Sequence, residues 1–148
     1  MQTGTQGGVA AAGVSTFRLY LLRGMYLLIA VGLAVTVWPL ILFAPAQAAD
    51  SRTVVRAMLG ALSLVSLLGV RYPIQMIPIL MFELLWKTLW VAVFALPLLV
   101  RHQLDEAGWE NLTACLMGVV LVPLVLPWGC VVERYLKAPG DRWRAREG

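Results

Sequence analysis

Residues 76–100 read MIPILMFELLWKTLWVAVFALPLLV, an almost wholly apolar run with Glu83 and Lys87 near its middle. The hydrocarbon layer of a bilayer is about 30 Å thick, and a helix needs roughly 20 mostly apolar residues to cross it. This run is long enough, and it is one of four, at about 24–43, 54–71, 74–100 and 110–132. The whole chain of 148 residues is 60% hydrophobic and 14% charged, against about 45–50% and about 25% in soluble domains. A domain this small has too little interior to hide that excess. The expected object is therefore an all-α polytopic integral membrane protein, a four-helix up-and-down transmembrane bundle. Its membrane domain spans residues 17–136, between a disordered tail at 1–16 and a basic cytoplasmic tail at 137–148.

The four runs are not equivalent. The first, GMYLLIAVGLAVTVWPLILF, follows Arg18 and Arg23 and precedes Ala46-Gln47-Ala48, which resembles the A-x-A cleavage site of a secretory signal. Its length, and Trp38 and Pro39 inside it, favour a retained helix over a signal core. The second is the weakest, because its uninterrupted apolar part begins only at Ala57. Arg56 and Arg71 can extend it by snorkelling. Gly60, Ser63, Ser66 and Gly69 make it the small-residue helix, suited to close approach of another backbone. RYPIQ, at 71–75, is so short a link that the second and third helices are expected to be antiparallel neighbours. Pro123 and Pro127 predict a kink in the fourth.

Orientation follows the bias of Lys and Arg across the membrane. With the amino terminus inside, the inner side collects Arg18, Arg23, Arg71, Arg134, Lys137, Arg142, Arg144 and Arg146, and the outer side only Arg52, Arg56 and Arg101. Both termini are expected in the cytoplasm of a bacterial-type inner membrane. The same residues sit at the ends of apolar runs and form no basic groove with interleaved aromatics, so no nucleic-acid partner is expected.

Glu83 and Lys87 are the site that needs explaining. Each charge at the centre of a spanning helix costs about 2.5–3.5 kcal/mol, and the Leu, Ile, Phe and Val residues of the run return about 6 kcal/mol in total. Two charges nearly cancel the drive to insert. Their spacing, i and i+4 with the acid first, is the better orientation for a helical ion pair, and the pair should face protein or a water-filled cavity. Trp90, one turn beyond Lys87, offers its ring to the ammonium. Depth matching suggests further partners: the Ser63 hydroxyl for Glu83, and for Lys87 the Val119 carbonyl, which Pro123 leaves without its helical donor. Three roles compete for the pair: a polar clip fixing helix register, a proton or cation site titrating at Glu83, and a binding site for a lipid, quinone or hydrophobic partner.

Little else carries chemistry. Cys115 and Cys130 lie about 22 Å apart along one helix, too far for a disulfide. His102 stands near Asp105 and Glu106, but a solvated helix end suits it better than a metal site. No phosphate loop, metal-ligand spacing or nucleophile set is present, so neither a cofactor nor an enzymatic activity is expected. Ala30/Ala34 and Ala114/Gly118 offer small-residue faces for association. Size and four-span layout are similar to those of small bacterial membrane families such as the DoxX-like proteins and the small multidrug transporters. No motif ties the chain to either, and the first helix lacks the acid a small multidrug transporter would use. The expected role is an accessory or scaffold-like membrane subunit, partnered by the bilayer and by other membrane proteins or its own copies. The alternatives are an ion- or proton-coupled transporter using Glu83 and a lipid- or quinone-binding protein.

Overall fold

The computed structural model describes residues 14–43 and 49–140. Among them there is no strand, and four helices are long and apolar enough to cross a membrane: α1 (Thr16–Leu42), α2 (Ser51–Arg71), α3 (Ile77–Val100) and α4 (Glu106–Val125). A short fifth helix, α5 (Trp128–Val131), continues into a π turn at Val132–Lys137. The Ala46-Gln47-Ala48 site, most of the amino-terminal tail and Arg142, Arg144 and Arg146 lie outside the described residues.

The helices overrun the apolar runs because capping residues, not hydropathy, set their starts. Ser15 accepts from the Arg18 N–H at 3.3 Å, which opens α1 well before residue 24. Asp50 and Thr53 form a reciprocal capping box, each side chain bonding the other's backbone N–H, so α2 begins at Ser51. The Thr53 N–H bonds, followed by that residue's hydroxyl and the Arg52 charge, hold the Asp50 carboxyl below its usual range. Asp105 caps α4 through the Gly108 N–H at 2.8 Å.

Proline shapes the other ends. In α3 the stretch Val91–Ala95 is π-helical, and the Leu96 N–H reaches back to the Val91 carbonyl. Pro97, lacking an N–H, cannot restore the regular ladder there. The kink expected in the fourth span is a full break. Leu126 is extended, with ψ 128°, because a residue before proline is disfavoured in helical geometry. The chain turns helical again only after Pro127, and the Trp128 Nε1 donates back across the break to the Pro123 carbonyl at 2.9 Å.

Packing is uneven. The small stripe of α2 is spent on α1: Gly69 receives the Tyr26 ring, Ser63 accepts from Trp38 Nε1 at 2.9 Å, and Gly60 faces Ile41. Any side chain at Gly69 would run into the Tyr26 ring, and the Tyr26 hydroxyl passes beyond it to donate to the Pro73 carbonyl at 3.0 Å. Because α2 gives this face to α1, its packing against α3 is slight. The short link joins the two helices in sequence without making them close packing partners. Farther along, an apolar gap of about 180 Å³ lies between Met58 and Leu62 of α2 and Phe82 and Trp86 of α3. α3 packs instead on α4, and α4 touches α1.

The main hydrophobic cluster sits at one end. Leu22, Met25, Tyr26 and Ile29 of α1 meet Ile77 and Leu80 of α3 and Val122, Leu126 and Val131 of the last segments. Outward-facing positions along all four long helices are apolar and exposed, among them Val35, Leu67, Phe94 and Val120.

Candidate functional site

Glu83 sits six residues into α3, on the face turned toward α1 and α4, and is 2% exposed. A carboxylate so placed needs its lone pairs filled. One helical turn supplies both partners: Lys87 Nζ lies 2.7 Å from Oε1, and Trp86 Nε1 donates to Oε2 at 2.6 Å. The Lys87 ammonium also lies 5.6 Å from the centroid of the Trp86 ring, within cation–π range. Positions i, i+3 and i+4 thus form a closed polar group carried by a single helix. It needs no partner from another helix to satisfy the carboxylate.

The neighbouring helix makes room for it. The Lys87 stem crosses α4 at Gly118, where an added Cβ would lie 2.7 Å from Nζ and 2.8 Å from Cδ. A side chain at 118 would have to push the Lys87 stem aside. Beside the pair, a cleft of about 240 Å³ runs between α1, α3 and α4, with Gly32 and Thr36 on one wall and Ala114 and Met117 on the other.

Several expected contacts fall elsewhere. Ser63 is buried, but its hydroxyl donates to the Gly60 carbonyl at 2.9 Å and accepts from Trp38, so it serves the α1–α2 contact rather than Glu83. The ring over the Lys87 ammonium is that of Trp86, not Trp90. Val119 is half-buried, next to the glycine that Lys87 crosses, while the polar partner of the ammonium is Glu83. Pro123 acts through its own carbonyl, which Trp128 occupies. Depth along a helix says nothing of rotation about the axis, and rotation decides these partners. Trp86 and Gly118 are the residues that the sequence reading missed in these roles. The i+3 spacing of Trp86 from Glu83 was the available signal for the first.

The small-residue faces divide likewise: Ala30 is buried and Ala34 exposed, while Gly118 is covered by Lys87 and Ala114 opens on the cleft. His102 is exposed and ends α3 with a positive φ of 53°. Among the described residues, no three His, Cys, Asp or Glu side chains group to hold a metal ion. The chain matches no protein-family model, no curated protein and no solved structure.

Proposed function

We propose that this chain is a multi-spanning protein of a bacterial-type inner membrane, an up-and-down bundle with both termini in the cytoplasm. It acts as an accessory subunit through helix–helix contacts. Exposed apolar side chains on every long helix support the membrane setting, since water would leave them all unsheltered. The excess of Lys and Arg at the end holding both termini supports the orientation.

The observation that carries the functional reading is the closed geometry of Glu83. Both carboxylate oxygens are engaged within α3, at 2.7 and 2.6 Å, and the residue is only 2% exposed. Such a group works as a polar clip. It fixes which face of α3 turns inward, because rotating the helix would carry a charge pair out to the acyl chains. An ion-coupled carrier would need that carboxylate to leave both partners in every cycle.

A pair of variants tests the clip. Lys87→Met strands a buried carboxylate and should cost about 3–5 kcal/mol, the scale for breaking one side of a buried pair. Glu83→Gln with Lys87→Met removes both charges and should recover most of that loss in detergent melting curves. Unchanged melting of the single variant overturns the clip. A proton-gradient-driven flux in vesicles that Glu83→Gln abolishes would install the carrier reading instead.

A further inference from the structure

The clip accounts for the tolerance of Glu83 and Lys87 toward one another, but not for the cleft left open beside them. An ammonium has three N–H donors, and among the described residues the polar partner of Lys87 is the Glu83 carboxylate alone. Two donors remain. Lys87 is also the member of the pair that keeps some exposure, 15% against 2%, and it lines the cleft. A molecule entering there meets these free donors, since the Thr36 hydroxyl on the opposite wall already spends its proton on the Gly32 carbonyl.

Charge narrows the choice. Among the described residues, Glu83 and Lys87 are the only charged ones lining the cleft, and they sum to zero. An anion would leave the site net negative in a low-dielectric place, where uncompensated charge is costly. A cation would meet the ammonium, since Trp86 already covers the second oxygen of Glu83. The complementary group is uncharged and accepts hydrogen bonds.

Depth narrows it further. Lys87 lies ten residues past Ile77, about 15 Å along the axis, and thirteen short of Val100, about 20 Å. That is near the middle of a hydrocarbon layer about 30 Å thick. The phosphates and charged headgroups of ordinary phospholipids belong to the polar interfaces on either side. A lipid meeting Lys87 must carry a polar group that itself dissolves in the core. About 240 Å³ holds a ring or a glycerol-sized head, not a tail. The tail has a way out between Leu28 and Met117, whose exposed side chains flank the cleft.

We infer that the cleft between α1, α3 and α4 binds the uncharged, carbonyl-bearing head of a core-dwelling lipid, with Lys87 Nζ donating to its oxygen. An isoprenoid quinone and a diacylglycerol both present this chemistry. The inference rests on the membrane-embedded reading above and not on the accessory role.

The test titrates the detergent-purified chain with a short-chain benzoquinone, dioctanoylglycerol and, as the charged control, dioctanoylphosphatidylglycerol. Thermal shift and native mass spectrometry are the readouts. One or both uncharged probes should bind at one per chain and raise the melting temperature, the better of the two identifying the source. The anionic probe should not. A Cβ at Gly32 would meet no atom within 4 Å, so Gly32→Leu fills the cleft without disturbing the backbone and should weaken binding by about tenfold or more. Lys87→Met should weaken it as well, with Gly32→Leu standing independent of any folding defect there. Failure of both uncharged probes, equal binding by Gly32→Leu, preference for the anionic probe, or a dimer dissolved by Gly32→Leu would each overturn the proposal. Release of the chain from membranes by alkaline carbonate would instead overturn the membrane reading itself. A chain that stays integral yet binds nothing loses only this inference.

Discussion

His102 shows how much a single backbone angle decides. It follows Arg101, the C-cap of α3, with φ 53°, its N–H bonded to the Leu99 carbonyl at 3.1 Å, while the Gln103 N–H returns to Leu98 at 2.9 Å. This is the bond pattern of a helix end closed by a left-handed residue, a place glycine prefers. A side chain there costs about 1 kcal/mol or more. His102→Gly should therefore raise the melting temperature in detergent by an amount worth about 1 kcal/mol; a lowered value would mean that the imidazole has a role of its own. At this scale the sequence was half legible. The spacing of Glu83 and Lys87 put them on one face because a helical turn leaves no other option. The partners Trp86 and Gly118 were not legible in the same way, because side-chain direction across a helix contact depends on axial rotation. The run LLWKTLW offers two tryptophans flanking Lys87, and periodicity alone did not choose between them.

Among the elements, the α1–α2 hairpin carries the clearest prediction. Tyr26 is fully buried, its ring lies on Gly69, and its hydroxyl ties the hairpin to the α2–α3 turn at Pro73. Gly69→Ala drives a methyl into that ring and should cost about 1–3 kcal/mol, as overpacking does. Tyr26→Phe keeps the ring and loses one bond, worth about 1 kcal/mol. Melting of the two variants side by side gives the order; a harmless Gly69→Ala would mean that the ring sits elsewhere. The existence of each long helix was plain from its apolar run, and the small stripe of α2 was plain as a packing face. Which helix it would meet was not. A short link suggested α3, yet the Tyr26 ring of α1 fills the space above Gly69. Helix starts were not legible in the apolar runs, because capping residues set them, as Asp50-x-x-Thr53 shows.

For the whole molecule, the prediction is one of sidedness. Gln75 and Gln103 are exposed and lie in turns at opposite ends of α3. With the termini inside, an impermeant thiol reagent added to intact cells should label Gln103→Cys, and should label Gln75→Cys only after permeabilisation. The reverse pattern would invert the orientation read from the basic residues. A further consequence comes from where the large apolar cluster lies. Leu22, Tyr26, Ile77, Leu80, Val122 and Leu126 bind one rim of the helices together. Farther along, the helices hold in pairs, α1 on α2 through Trp38 and Ser63 and through Ile41 and Gly60, and α3 on α4. Between the pairs a gap remains at Met58 and Phe82, whose side chains are both exposed, so the seam is open to whatever surrounds the helices.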